Sequence, residues 1–532
     1  MKRWYVFLFM MCAIFLYRLW LPGFPYTHDG ENHLARIANY AVALRQGQFP
    51  PRWAPSFWSG YGYPVFNYNY PLVNIAALPF LAIKIPTEIT LKIIVSFSVV
   101  LSVIALWEML HKRVTSCSAT VGVLVWLFAP FTYTNLYVRG AVGEIAAYAS
   151  ALSVVWMIDV WREKRSKFAA LWVFVSMFAL MLAHNIITML LLPIIMGWLI
   201  FLYWKKPFDR MLFGVMGLAM GASIFFWIPA LFEKHLVNVD TSQVLKEYVL
   251  HLPTLSQLVF APVQFGYSFI GPVDSLSYQV GISFFVSCAI AVLMMKTLRK
   301  DRFFSLVIGI LGFGSVLMLS QYASPVWERI TILRYVQFPW RMLGFLALFG
   351  GVISAWVMEK MSIVLQKIML ITLCVSFVQF LRFPFSPRFT HEDFYYKTYP
   401  LTSTILDEDK PKTLHLAIAE LSSHMPHIES GVTFTQKYWN GSQRVYTVKS
   451  EKDHTIIEPT TFFPGWKTFI DEQEVVIDEK RAKGLITFDV PAGTHTIETR
   501  FTQDTVPRKI GNTISLISFM FFALVVLRWR RA

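Results

Sequence analysis

The stretch YTHDGENHLARIANYAVALRQGQFPPRW, beginning at Tyr26, sets two histidines and two carboxylates within six residues: His28, Asp29, Glu31 and His33. Asp29 and His33 stand four apart, so in a helix they share one face. A carboxylate held beside an imidazole could act there as general base toward a hydroxyl. The same residues also suit a purely structural reading. Leu34, Ile37, Ala38, Ala41 and Leu44 recur at helical spacing, and Gly47 is a fitting stop. Asp29 stands where an N-cap belongs, with Glu31 near the positive end of the helix dipole. An interfacial amphipathic helix capped by Asp29 accounts for the pattern without chemistry.

Three further places carry ionisable residues close to apolar runs. YVRGAVGEIAAY holds Arg139 and Glu144, LAHNIITML holds His184 and Asn185, and ILRYVQFPWRMLGF holds Arg334 and Arg341. Such residues near membrane depth usually face a cavity and often mark function. Arginine suits phosphate through its planar fork. The structural alternatives are local: Arg139 paired with Glu144, and His184 capping the helix that follows it. Between these places, FPPRWAPSFWSGYGYPVFNYNYPL is too rich in proline, glycine and aromatics for a regular element. Its rings suit a membrane–water belt as well as a sugar face or an isoprenoid chain.

What must position these residues follows from composition. Of 532 residues 55% are hydrophobic and 15% charged, against about a quarter charged in soluble domains, so the bilayer is the second solvent. The net charge of +15 comes from basic clusters in short loops, as the positive-inside rule requires; nucleic acid is excluded as a partner. Cys12, Cys117, Cys288 and Cys374 all lie in apolar stretches and read as small core hydrophobes, with no disulfide or zinc framework. The N-terminal run reads as an uncleaved signal anchor.

Runs of roughly 20 apolar residues begin near Trp4, Glu88, Ser118, Val142, Phe168, Ile186, Met211, Val280, Phe303, Met342, Ile363 and Asn512, which predicts about twelve spans. The clusters at Lys2, His111, Trp161, Lys205 and Leu298 and the terminal RWRR then share one side. Both termini are expected in the cytoplasm and the long aromatic connections outside. The expected division is a membrane module over 1–382 with its first external loop at 22–71, an extracytoplasmic β domain over 383–510, and a final span with a basic tail over 511–532. SQRVYTVKS, HTIIEPTTFF, WKTFID, GLITFDV and THTIETRF alternate or are β-branched between short turns, a pattern best matched by a small β-sandwich. The sequence has no GxxxxGK[ST] loop, no GxGxxG at a strand–helix junction and no HExxH. His424 and His427 form a lone pair without a cysteine.

In order, HDGENH, FPPRW, GYGYPVFNYNYPL, YVRGAVGE, AHN and QFPWR resemble bacterial multi-pass membrane proteins labelled 6-pyruvoyl-tetrahydropterin synthase-related, although no zinc–histidine site of a pterin synthase is present. The whole pattern is similar to the GT-C class of membrane glycosyltransferases, which includes protein O-mannosyltransferases and oligosaccharyltransferase catalytic subunits. The likeness covers roughly residues 1–380, and FFPGWKTFIDEQEVVID with GLITFDVPAGTHTIETRF resembles the extracytoplasmic β domain that ends many such proteins.

The resemblance implies a polytopic α-helical, GT-C-like fold in the cell membrane. It also implies transfer, with inversion, of a sugar from a polyprenyl-phosphate carrier to a glycan, lipid or protein acceptor of the envelope. The catalytic acid of the first external loop maps onto Asp29, with Glu31 as alternative and Glu144 as a third carboxylate. Arg139, Arg334 and Arg341 are the cations for the leaving phosphate, and His33, His184 and Asn185 the remaining substrate-binding residues. Many GT-C members carry an adjacent acidic pair where this chain has Asp-Gly-Glu. The choice between Asp29 and Glu31 and the need for a divalent metal therefore stay open; no other cofactor is implied. Two rivals remain. A lipid-linked glycan transporter or flippase requires paired repeats with broken spans in matching positions, and the sequence shows no repeat. A non-catalytic envelope assembly protein would use its β domain to bind glycan and Asp29 only as a cap.

Overall fold

A computed structural model describes residues 2–528 apart from 205, 242, 270–273, 295–311, 313, 385, 405–406, 418–419, 421–425 and 427–430. The run expected from Phe303, the cluster at Leu298, and His424 and His427 lie outside the described residues. The helices used below are α1 (Lys2–Leu16), α2 (Gly30–Arg45), α3 (Leu72–Ala82), α4 (Thr87–His111), α5 (Ser116–Leu127), α6 (Pro130–Thr134), α7 (Val142–Lys164), α8 (Lys167–Ala183), α9 (Asn185–Tyr203), α10 (Arg210–Ala222), α11 (Ile224–Phe232), α12 (Ile282–Leu293), α13 (Leu343–Lys360), α14 (Ile363–Arg382) and α15 (Val506–Leu527).

Among the described residues six helices are long and apolar enough to cross a membrane, or up to eight if each of two bent pairs is one span. This is fewer than the about twelve expected, of which the run from Phe303 lies outside the described residues. An apolar run in sequence is not all helix: α1, α8 and α12 have 15, 17 and 12 residues, short of the ~20 that cross a bilayer unaided. The bent pairs are α5 with the helix Pro130–Arg139, at 48°, and α10 with α11, at 54°. The first bend follows from Pro130, whose missing N–H stops α5 from continuing but suits the first turn of α6. The helix then widens into a π turn at Asn135–Arg139 and ends on Gly140 at φ 65°, a distortion frequent at functional sites. Cys117 and Cys374, expected in the core, are exposed on the helix surface: in a lipid solvent an apolar position can face outward.

The β region begins at β3 (Thr433–Trp439) and continues through β4 (Gln443–Ser450), β5 (His454–Thr461), β6 (Trp466–Ile470), β7 (Gln473–Val475), β8 (Leu485–Val490) and β9 (Gly493–Phe501). One sheet has the order β3-β4-β9-β6-β7; β5 and β8 pair separately. All pairings are antiparallel. Tyr446, Val448, Ile456, Phe488, Val490 and Ile497 from both sheets share one core. That core is completed from the first loop of the chain: Trp53 stacks on Phe501 at 5.7 Å and meets Trp466 edge-on at 5.7 Å.

Two buried carboxylates tie the parts together. In the β core Glu458 accepts from Arg444 (2.8 Å), Tyr446 (2.9 Å) and Thr499 (2.8 Å). Where α11, α15 and the first loop meet, Glu233 accepts from Arg508 (2.9 Å), Asn67 (2.8 Å) and Thr505 (2.5 Å).

After α14 the chain returns over the first loop. β1 (Phe24–Pro25) pairs antiparallel with β2 (Arg388–Phe389), and the Arg388 guanidinium donates to the carbonyls of Arg18, Leu19, Leu21, Pro22 and Gly23. This return segment covers the polar face of α2 through Tyr395 to Glu31 (2.5 Å), Tyr399 to Asn32 (3.2 Å) and Arg36 to Ser403 (3.0 Å). On its other side α2 packs on α3 and α4. The helix expected to lie on the membrane surface is therefore buried between two parts of the chain, because its polar residues find partners in the segment 388–403.

Candidate functional site

The site forms where the turn before α2 meets the turn after the π helix. His28 N donates to Val138 O and Asp29 N to Arg139 O, both at 3.0 Å. Gly140 allows this approach: a Cβ there would lie 2.3 Å from Thr27 Oγ1. Thr27 Oγ1 also accepts from Gly30 N at 3.0 Å. The threonine thus serves the first orphan amide of α2, and the Asp29 side chain makes no capping bond. The expected role of Asp29 as cap is corrected. Its carboxylate accepts no hydrogen bond from any described residue and is half-buried. Burial pushes its pKa above the ordinary carboxylate value, while Arg139, Arg36 and Arg341 pull it back.

Arg139 and Glu144 face each other across the Gly140 turn as a two-pronged pair: Nη1 to Oε2 and Nη2 to Oε1, each 2.8 Å. Arg341 Nε lies 3.1 Å from Oε1 of the same glutamate, and its Nη1 donates to Val336 O at 2.7 Å. The Arg139 guanidinium also lies 4.5 Å over the Trp340 ring. Two of the three arginines expected for phosphate, Arg139 and Arg341, are thus paired with Glu144, which is an anchored anion. Two guanidinium groups against one carboxylate leave a positive charge.

His184 Nδ1 accepts from Ile187 N at 3.3 Å and caps α9. Its ring packs on Tyr70 at 4.6 Å, and Asn185 donates to Tyr68 O at 3.1 Å. His33 lies on the other side of Tyr70, with ring centroids 6.4 Å apart. The expected meeting of Asp29 and His33 exists only through the backbone, His33 N to Asp29 O at 3.0 Å. Burial, with Arg36 and His184 nearby, pushes His33 well below the usual imidazole range, so it stands neutral. Glu31 accepts from Tyr395 at 2.5 Å and lies roughly 200° round the helix from Asp29. Arg334 lies apart: it contacts Tyr335 (3.2 Å), whose hydroxyl joins Asp240 (2.8 Å) and Lys234 (2.7 Å). That local cluster holds Arg334 away from the site, although its buried Nε has no partner among the described residues.

Sequence reasoning missed Arg36 and Tyr70. Arg36 donates to Ser403 Oγ and O and has no carboxylate within ion-pair distance among the described residues. Its charge acts on Asp29, His33 and Tyr70. The signal was present, since Asp29, His33 and Arg36 are spaced i, i+4, i+7 on one helical face. Tyr70 lies over Gly143, where a Cβ would fall 2.2 Å from its ring. Burial pushes its hydroxyl up to about 12, so it remains a donor. A small cavity of about 30 Å³ is lined by Phe15, Val99, Trp126 and Leu136, with Ser102, Thr132, Asn135 and Tyr148 as polar members.

The open question of a divalent metal meets a poor fit. No three His, Cys, Asp or Glu side chains converge among the described residues. Glu31 is taken by Tyr395 and Glu144 by two arginines, which leaves Asp29 as the open carboxylate among these three, too few for a divalent ion.

No family model matches the chain. A protein of Lactococcus lactis subsp. cremoris (strain MG1363), described as uncharacterized, is 25% identical over 262 residues, covering 46% of this chain and 42% of that protein. The chain thus spans less than half of that relative. Two solved structures overlap with it at 14% identity. The arabinofuranosyltransferase AftD from Mycobacteria covers 71% of this chain and 26% of its own, with a TM-score of 0.46. The Archaeoglobus fulgidus oligosaccharyltransferase, in complex with Zn and sulfate, covers 77% and 59%, with a TM-score of 0.40.

Proposed function

We propose that this membrane protein is a glycosyltransferase that moves a sugar, with inversion, from a polyprenyl-phosphate donor to a glycan, lipid or protein acceptor of the cell envelope. In this reading both termini are cytoplasmic and the β region is extracytoplasmic. The observation that carries the reading is Asp29: a half-buried carboxylate, bonded to nothing described, beside three arginines of which one has no acidic partner. A carboxylate raised by burial is a stronger base, and nearby guanidinium groups keep it ionised. Asp29 takes the proton of the acceptor hydroxyl as its oxygen attacks the anomeric carbon. The bond from that carbon to the carrier phosphate breaks, and polyprenyl phosphate leaves with the electron pair. Arg36, with the Tyr70 hydroxyl, meets the charge developing on that phosphate, and the Arg139–Glu144–Arg341 cluster supplies a fixed positive field behind it. No step requires a metal.

The transporter reading is favoured by one observation, the two bent spans. Both bends are sewn to fixed parts, however. The Val138 and Arg139 carbonyls hold the first loop, while Phe225 takes Arg52 at its carbonyl and Ser515 Oγ at its amide, at 2.5 and 2.7 Å. A rocking element would lack such ties.

The test is a transfer assay with purified full-length protein and a panel of polyprenyl-phosphate sugars, comparing wild type with Asp29→Asn and Glu31→Gln. Asp29→Asn should keep its fold and lose about 100-fold or more of its rate. Glu31→Gln should retain most of it. Full activity in both variants, or no turnover of any donor by wild type, sinks the proposal.

A further inference from the structure

One residue before Asp29, four rings meet. His28 stacks on Tyr267 at 4.4 Å with 13° between planes. Phe265 stands edge-on to both, at 5.5 and 5.7 Å, and Tyr26 lies 5.9 Å from Phe265. Packed as they are, Tyr26 and Tyr267 remain 45% and 44% exposed. The rings thus form a fixed surface turned outward rather than a sealed core.

The strand-like loop that carries Phe265 and Tyr267 is held from several sides. Tyr267 N donates to Ser275 Oγ at 2.8 Å, and Leu276 N to Tyr267 O at 2.9 Å. A Cβ at Gly266 would fall 2.2 Å from Ser275 O, so only glycine fits this turn. Ser268 Oγ joins Tyr278 (2.7 Å), His251 (2.9 Å) and Trp340 Nε1 (3.2 Å). Trp340 is the ring beneath Arg139, so the aromatic loop and the arginine cluster rest on one support.

The surface is not purely apolar. It carries the Tyr26 and Tyr267 hydroxyls, which lie close enough to influence each other. The His28 ring is fixed from below by the Gly266 backbone, so the polar edge open to a ligand is that of the two tyrosine hydroxyls. A hydrocarbon chain would leave these polar atoms unpaired, and a simple anion would have no use for the rings. A sugar ring meets both demands, with a C–H face for the aromatics and hydroxyls for the polar edge. Burial and Arg139 bring His28 down to about 4, so the stacked imidazole is neutral and suited to a neutral ligand.

We infer that Tyr26, His28 and Tyr267 form the acceptor subsite: a shelf that binds one sugar ring of the acceptor glycan and turns its free hydroxyl toward Asp29. This rests on the glycan-handling function proposed above. The test is saturation-transfer NMR on full-length protein in micelles. The probes are the methyl glycosides of glucose, galactose, mannose, rhamnose, arabinose and N-acetylglucosamine, with farnesol as the apolar probe. At least one glycoside should receive saturation from wild type. Tyr267→Leu should lower that signal about 5-fold or more, Tyr267→Phe should keep most of it, and Arg334→Gln should leave it unchanged. If Tyr267→Leu unfolds, Tyr26→Leu is the second variant with the same expectation. No glycoside signal in wild type, an undiminished signal in the leucine variants, or Tyr267-dependent saturation of farnesol alone would overturn the shelf. The two claims separate cleanly. Tyr267-dependent binding without turnover of any donor keeps the shelf and removes the transferase; turnover without such binding does the reverse.

Discussion

Glu458 in the β core and Asp29 at the mouth of the membrane module are both removed from bulk water, yet they are treated in opposite ways. Glu458 has one arginine and two hydroxyls donating to it; Glu233 at the joint has an arginine, an amide and a hydroxyl. Asp29 has no donor among the described residues, although three arginines act on it. A carboxylate whose lone pairs are filled holds parts together; in the function proposed above, one left open amid excess positive charge is kept ready for a proton that the protein does not itself provide. The first arrangement serves stability, and the second is tolerated at a cost in stability where function requires it.

The contrast can be broken at either end. The largest effect is expected at the closed end. Glu458→Ala leaves Arg444, 2% exposed, as an unpaired buried cation, and should destabilise the β region by about 3–5 kcal/mol. Limited proteolysis and thermal unfolding measure this, and any loss of transfer should follow the unfolded fraction.

Asp29→Asn should do the reverse. Besides the loss of rate, it should raise Tm at neutral pH by about 1–2 °C. Because the folded pKa of Asp29 is raised, its contribution to stability is present below the unfolded value near 4 and lost as pH rises through the folded one. The gain from asparagine should therefore vanish in acid. A lower Tm at neutral pH would place Asp29 with Glu458.

Arg36→Gln should weaken donor use about 10-fold, the scale of one charged hydrogen bond, and Arg36→Lys less; unchanged KM in the glutamine variant would leave Arg36 only as the anchor of Ser403. His28 offers a smaller handle. Its pKa is lowered to about 4, so its contribution to stability is full above about 6.5 and drains away as pH falls toward the folded value. His28→Gln should flatten the acid slope of Tm in that window. Arg334→Gln, remote from Asp29, should change transfer by less than about 2-fold.

Much of this was legible in the residues. Hydropathy located the spans, because a membrane helix must be apolar along its length, but it could not show where a run stops being helix. Pro130 announced the first bend; nothing as plain announces the second at Ser223. β4 follows its alternating pattern to the residue. Arg139, Glu144, His184 and Arg341 could be gathered because each breaks an apolar pattern, and Asp29 by its spacing to His33. Arg36 breaks none, since it sits on the polar side of an amphipathic helix, and only its register with Asp29 gives it away. Tyr70 was hidden among other tyrosines. The covering segment 388–403 escaped because its contacts with α2 span some 360 residues of chain, a distance at which local pattern carries no information.

The five carbonyl oxygens gathered by Arg388 belong to residues 18–23, made about 365 residues earlier. During synthesis the end of the first helix therefore waits through most of translation for the side chain that closes it, and α2 waits with it. The loop bearing Asp29 is left open to membrane chaperones and proteases until the ribosome has passed residue 388. Asp29 is among the first residues made and among the last to be set in place. Arg388→Ala should accordingly delay the protease resistance of the first loop in pulse-chase more than it lowers that of the finished protein.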